Sequence, residues 1–143
     1  MTHSYPTASL THTAAAALID AARASADAMG VEIAVAITDP GGHLKAFERT
    51  DGAAFLTVEV AVNKAWTAAS YDLDTRSWNE YLRNDPRALS LAYIPRLMAV
   101  PGGFPVRENG LLIGGLGISG GNAAQDQEIA EAALKSLGLD APA

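Results

Sequence analysis

The sequence predicts an α+β fold: a single domain of 143 residues in which helices cover a meandering, antiparallel sheet of five strands. Three observations predict it. Small apolar residues recur at helical spacing near both ends of the chain, and short β-branched or apolar runs are separated by turns rich in glycine and proline. Asn109-Gly110 is the two-residue signature of a hairpin turn. The predicted order, α-β-β-α-α-β-β-β-α, has no strand–helix–strand unit typical of parallel sheets.

The N-terminal third is predicted to form a helix and then a β-hairpin. Thr7 or Ser9 can cap a helix that ends at about Met29, and a glycine follows at the usual stop position. The β-branched run 31–38 predicts the first strand. An Asp-Pro-Gly-Gly turn then returns the chain into a second strand over residues 43–49.

The middle of the chain is predicted to hold two helices, followed by a segment that is compatible with either a strand or a loop. Residues 55–71 place valine and alanine at helical spacing. A shorter polar helix over residues 77–84 stops before Pro86, because a proline disfavours the helical conformation of the residue before it. Residues 91–100 are apolar, but Pro95 would confine a strand to the edge of the sheet. Counting this segment as a strand makes five.

The C-terminal region is the richest in glycine. Strands are predicted over residues 104–107 and 111–118, and the second of them keeps three glycines. A strand with several glycines usually allows another backbone or a ligand to approach closely. Ser-Gly-Gly-Asn at 119–122 leads into the last helix, 123–137, and the free N–H groups of such a helix start can receive an anion.

Composition excludes several classes of function. The net charge of −6 and the lack of a basic stripe argue against nucleic-acid binding. The absence of cysteine excludes disulfides, thiolate catalysis, iron–sulfur clusters and cysteine-ligated zinc. The N-terminus lacks the parts of a signal peptide, and no apolar run approaches the roughly 18 residues of a membrane span. We therefore expect a cytoplasmic protein with a small-molecule ligand and no membrane partner.

The same composition predicts self-association. Hydrophobic residues make up 49% of the chain and charged residues only 18%. Apolar surface is therefore expected to be buried between subunits of a homo-oligomer with at least four copies.

Three features that are distant in sequence predict one ligand site. Arg49 and Asp51 lie at a strand end, where they can pair with each other or Arg49 can bind a carboxylate. Lys64 interrupts an apolar helix and is either solvated or buried with an anionic partner. The glycine-rich turn offers N–H groups to a developing negative charge. The residues predicted to bind the ligand are Arg49, Gly103, Ser119, Gly120 and Gly121, and those predicted to be catalytic are Lys64 and Asp51.

The histidines form no metal triad by spacing, and no metal is predicted. His3 belongs to the N-terminal tail, His12 to the first turn of the first helix, and His43 to the residue after the Gly-Gly turn. Each is most simply a surface residue. The alternative role of a neutral imidazole here is that of an axial ligand to a haem iron.

Read together, these segments resemble the GlcG/HbpS family, the haem-degrading-domain family, which also forms the C-terminal domain of PduO-type proteins. The resemblance implies a profilin-like α+β fold and a compact oligomer, from tetramer to octamer. It covers nearly the whole chain in the correct order. The matching segments are AVAITDPGGHLKAFERTDGA (34–53), VAVNKAWTAA (60–69), GGFPV (102–106) and IGGLGISGGNAAQDQEIAEAAL (113–134).

The resemblance leaves three functions open, because relatives of this kind bind haem, belong to glycolate or diol catabolism, or resemble lyases acting on aromatic intermediates. We expect a catabolic protein that binds a small anionic organic ligand without a cofactor, as a lyase or isomerase acting on a small aromatic acid. The second function is haem binding or storage through His12, His43 or Thr75. The third is a structural oligomer that assists a neighbouring enzyme.

The chain departs from the family pattern after the second helix, where Asp74-Thr75 replaces a common Pro-Thr pair. The segment that follows adds aromatic and basic residues. These suit a small planar acid better than haem if they line a pocket, although Trp78 and Tyr81 are three apart and can equally form an inward-packing helix face. The added residues are Trp78, Tyr81, Arg83, Arg87 and Tyr93.

Overall fold

The computed structural model describes residues 1–139, and an antiparallel sheet lies at the centre of this part of the chain. Its strand order is β2-β1-β4-β3, so β1 and β4 are the central strands. Arg49, Ala34 and Ser119 are register partners and lie side by side across β2, β1 and β4. The strands are β1 (Ala34–Thr38), β2 (Leu44–Arg49), β3 (Gly103–Glu108) and β4 (Leu111–Ser119).

Two helices, α1 (His12–Met29) and α4 (Ala123–Ser136), cover one face of the sheet. The side chain of Thr11 accepts the N–H of Ala14 and caps α1. At the start of α4, Asn122 and Gln125 exchange side-chain-to-backbone hydrogen bonds in a capping box. The core between these helices and the sheet is aliphatic and includes Leu18, Ile33, Val35, Ile37, Leu116, Ile118, Ile129 and Leu134.

The helix α2 (Leu56–Tyr71) covers the opposite face, and it rests directly on backbone. Ala61 and Ala65 of α2 pack against small residues of β1. A side chain at Gly117 would overlap the carbonyl oxygen of Ala61, and one at Gly115 would overlap that of Ala65. The glycines of β4 therefore admit the backbone of a helix, one of the two alternatives that the sequence left open.

The predicted fifth strand is wrong, because the sheet formed by residues 1–139 has four strands. After α3 (Thr75–Asn84), Asp85 caps a 3-10 helix that occupies Pro86–Tyr93. After this 3-10 helix, two backbone groups of the chain form hydrogen bonds to the hydroxyl of Thr67 in α2. The hydroxyl accepts the N–H of Met98 at 2.9 Å and donates to the carbonyl of Arg96 at 3.2 Å. These groups pair with a side chain instead of a strand partner.

The α+β class, the antiparallel pairing and the flanking helices are confirmed. Asn109 and Gly110 both have positive φ, as the predicted type I′ turn between β3 and β4 requires. None of the helices in residues 1–139 combines the length and hydropathy needed to cross a bilayer.

Candidate functional site

Lys64 is buried in an ion pair that joins three elements. Its ammonium is 3.0 Å from the Oδ2 atom of Asp126 in α4 and donates to the carbonyl of Ile118 in β4 at 2.7 Å. The Oδ1 atom of Asp126 accepts the N–H of Gly121 at 2.9 Å. Lys64 is 1% exposed, so of the two sequence alternatives the buried cation is the one observed. Its anionic partner belongs to the chain itself.

The electrostatics of this pair follow from its burial. Burial lowers the pKa of the Lys64 ammonium and raises the pKa of the Asp126 carboxyl, because both charged forms lose their hydration. In each case the partner's charge opposes the effect. The two charges of the buried pair stabilise each other, and the N–H of Gly121 is held in place by its hydrogen bond to Asp126.

The glycine-rich turn lines a polar groove of about 530 Å³. It is lined by Gly120 and Gly121 of this turn, by Gly52 of the segment before α2 and by Thr57 in the first turn of α2. Its N–H groups are largely engaged within the chain: that of Gly121 by Asp126, and that of Gly52 by Glu32. A side chain at Gly120 would overlap the carbonyl of Glu32, so this glycine permits a close approach of the chain to itself.

The structure brings only some of the predicted site residues together. Lys64 and Gly121 are joined through Asp126, and Ser119 is buried beside them on β4. Arg49 lies two strands away from Ser119 with an exposed side chain, and it is not among the residues that line the polar groove. Asp51 is exposed next to Gly52. Within residues 1–139, Arg49 and Asp51 form no ion pair with each other.

Gly103 and Thr75 meet in the interior. The hydroxyl of Thr75 accepts the N–H of Gly103 at 2.8 Å and donates to the carbonyl of Val100 at 2.5 Å. A side chain at Gly103 would lie 2.6 Å from the carbonyl oxygen of Lys64. The Thr75 hydroxyl, a candidate haem ligand by sequence, is thus enclosed and already bonded in both directions.

The candidate histidines lie on the surface. His12 is the first residue of α1 and is exposed. His43 is exposed as well, with Nδ1 3.2 Å from the Oδ1 atom of Asp39 in the preceding turn. Among residues 1–139, no three histidine, aspartate or glutamate side chains gather as a metal site.

A second groove, which we call the aromatic groove, has a volume of about 500 Å³ and opens between the C-terminal end of α2, α3 and the 3-10 segment. Trp78 is 5% exposed in its wall, and Tyr81 is 46% exposed. Both alternatives left open by the sequence are therefore observed: Trp78 packs inward, and Trp78 and Tyr81 line a pocket. The lining residues are Trp66, Ser70, Tyr71, Leu73, Trp78, Tyr81, Leu91, Ile94 and Leu97.

Arg96 contacts Trp66, one of the residues that line this groove. Its guanidinium is 4.7 Å from the centre of the Trp66 ring, and its Nε donates to the Oδ1 atom of Asn63 at 3.2 Å. Sequence reasoning missed Trp66 and Arg96 as site residues, because they are thirty residues apart and nothing in the local pattern joins them. The available signal was the unusual density of aromatic and basic residues between α2 and β3.

Comparisons with known proteins agree with this geometry. The family model described as haem degrading protein, HbpS-like, matches residues 10–135. GlcG of Escherichia coli K12 is 36% identical over 105 residues, which is 73% of this chain and 77% of GlcG. The crystal structure of Klebsiella pneumoniae ORFY superimposes with a TM-score of 0.90 at 29% identity, covering 96% of this chain and 97% of ORFY.

A further solved structure is a PduOC–haem complex, with a TM-score of 0.86, 29% identity, and coverage of 94% of this chain and 99% of that one. The resemblance inferred from the sequence segments is confirmed by the family match and by these relatives. The chain belongs to the HbpS-like family.

Proposed function

We propose that this protein binds a small planar organic acid in the aromatic groove, as a catabolic protein. The groove itself carries the proposal. Its volume of about 500 Å³ falls in the range typical of small-molecule sites, about 300–1,000 Å³, and its walls are aromatic rings and aliphatic side chains. Planar ligands gain from offset or edge contacts with such rings.

The charge of the ligand is inferred from what lies around the groove. None of its nine lining residues carries a charge, and the cation that the structure places beside them is the guanidinium of Arg96, which lies over the ring of Trp66. A carboxylate beside this ring would meet a planar, always-charged donor that can bind it through two hydrogen bonds. An aromatic acid satisfies both the apolar wall and this cation.

We extend the proposal to a lyase or isomerase reaction of the bound acid. Catalytic roles for Lys64 and Asp51 were predicted from sequence, and neither residue lines the aromatic groove. Asp51 is exposed and does not line the polar groove either. Lys64 can transfer a proton only if its ion pair with Asp126 opens, because the ammonium is otherwise enclosed.

The test is a titration with benzoate and related aromatic carboxylates, in which binding is measured as quenching of the fluorescence of the two tryptophans. We expect saturable quenching in the wild type and an affinity about 10-fold lower in Arg96→Met, since a charged hydrogen bond is lost. Arg49→Met discriminates between the sites: loss in this variant alone would place the acid at the end of β2 and contradict the groove. Lys135→Met, in the last turn of α4, controls for net charge.

Haem binding is the second candidate, favoured by the PduOC–haem complex of a relative. None of the nine residues lining the aromatic groove is a histidine, and the Thr75 hydroxyl is engaged internally, so the groove does not supply the axial ligands predicted from sequence. Of the haem ligands predicted from sequence, His12 and His43 remain, and both are exposed on the surface. A sharp Soret band on titration, lost in His12→Ala or His43→Ala, would rank haem first.

A further inference from the structure

Trp78 lines the aromatic groove, and its indole N–H is a buried donor without an acceptor among residues 1–139. Trp78 is 5% exposed, and its Nε1 atom is buried without a partner among residues 1–139. Buried donors in native proteins are nearly always paired, so such an atom calls for an explanation. A ligand that brings an acceptor into the groove would supply the missing partner.

Two tyrosine rings flank the indole edge-on. The ring centre of Tyr71 is 5.6 Å from that of Trp78, and the ring centre of Tyr81 is 6.2 Å away. An N–H directed at an aromatic face is a weak contact, whereas an N–H bonded to a carboxylate oxygen is among the strongest neutral-donor contacts. Both tyrosines are substantially exposed, 75% and 46%, so their side chains have room to turn and admit an acceptor.

Among the donors in the wall, the indole N–H is the one that is buried without a partner, whereas the hydroxyls of Tyr71 and Tyr81 belong to exposed side chains. The hydroxyl of Ser70 already donates to the carbonyl of Thr67 at 2.7 Å. No lining residue carries a carboxylate that would compete for the N–H of Trp78. The groove thus combines an apolar surface with one buried donor that lacks an acceptor of its own.

We infer that the Trp78 N–H binds an acceptor oxygen of the ligand, and that Trp78 thereby sets the preference of the groove for an acid over a neutral ring of the same shape. This inference rests on the proposed function, since it names the residue that recognises the acid. Trp78 is a specificity residue here, and no bond is made or broken at it.

The test compares Trp78→Phe with the wild type for two ligands, benzoate and the neutral benzyl alcohol. Phenylalanine keeps an aromatic ring and removes only the donor with part of the indole. We expect benzoate affinity to fall on the order of 10-fold, as for a hydrogen bond to a charged group, while benzyl alcohol affinity changes less than about twofold. Equal losses for the two ligands would overturn the inference and leave groove binding intact.

A second measurement does not depend on how well the variant folds. In the ¹⁵N-labelled wild type, the indole N–H resonances of Trp66 and Trp78 are assigned with Trp66→Phe. Benzoate should shift the Trp78 N–H proton downfield more than benzyl alcohol does. An unmoved Trp78 resonance at saturating benzoate would overturn the inference, and failure of both ligands to bind the wild type would overturn it together with the proposed function.

Discussion

Lys64 illustrates at the scale of one residue what sequence reasoning can and cannot supply. A lysine inside an apolar helical run indicated a buried cation that requires an anion. The anion is Asp126, 62 residues further along, and nothing in the local pattern pointed to it. Trp78 shows the same limit, because an aromatic residue on a helix indicated burial, whereas nothing in the local sequence showed that its N–H would lack a partner.

The ion pair leads to a prediction about stability. Lys64→Met leaves the Asp126 carboxyl buried without its cation, and we expect a loss of about 3–5 kcal/mol in the free energy of unfolding at neutral pH, measured by urea denaturation. Burial already raises the pKa of Asp126, and removing Lys64 raises it further. A carboxyl with a raised folded pKa binds more protons when folded, so the deficit of the variant should shrink as pH falls from about 7 toward about 4.

The control is the double variant Lys64→Met/Asp126→Asn. The double variant has no ionisable group at either position. The difference in the free energy of unfolding between the double and the single variant should therefore be largest at neutral pH and disappear on acidification. A Lys64→Met protein as stable as the wild type at neutral pH would contradict the role assigned to the pair.

At the scale of secondary-structure elements, helices and hairpins followed from local signals. The positive-φ turn and the apolar spacing are properties of a few adjacent residues, and they lie where they were predicted. The predicted cap of the first helix at Thr7 or Ser9 is wrong, because Thr11, closer to the helix start, accepts the N–H of Ala14. The exception is the segment 91–100, whose apolar content resembles a strand. Its backbone partners lie on Thr67, in a helix more than twenty residues earlier, and a contact of that kind has no local signature.

The packing of α2 on β4 can be tested by adding one methyl group. In Gly117→Ala the new Cβ overlaps the carbonyl of Ala61 and lies 2.7 Å from the backbone nitrogen of Ala65, so the helix must move away from the sheet. We expect a loss of about 3 kcal/mol or more in the free energy of unfolding, at the upper end for overpacked cores.

The matched control is Gly41→Ala in the turn between β1 and β2. There the nearest atoms, 3.1 Å from the added Cβ, belong to the side chain of His43, which is exposed and free to turn. The free energy of unfolding should change by less than about 0.5 kcal/mol. Equal behaviour of the two variants would refute the close helix–sheet contact.

At the scale of the whole molecule, the exposed apolar side chains support the oligomer predicted from composition. Phe55 is 85% exposed and Leu56 is 65% exposed at the start of α2, and Tyr93 is 86% exposed beside the aromatic groove. Side chains of this kind are commonly covered by another subunit.

We predict a homo-oligomer of at least four copies. Static light scattering at micromolar concentration should give at least four times the subunit mass of 14.8 kDa. Phe55→Asp should lower that mass, because it places a charge in a contact expected to be apolar. A monomer at micromolar concentration in the wild type would contradict the prediction.

The bare backbone contact between α2 and β4 also limits how this protein can change during evolution. Gly115 and Gly117 have no side chain, so every substitution there adds volume at the contact. The nearest atoms that an added side chain would overlap are main-chain atoms of Ala61 and Ala65, so no change of side chain at either position could make room. Substitution is therefore restricted at this contact, whereas Trp66, Ser70 and Tyr71 of the same helix line the aromatic groove and are free of this restriction.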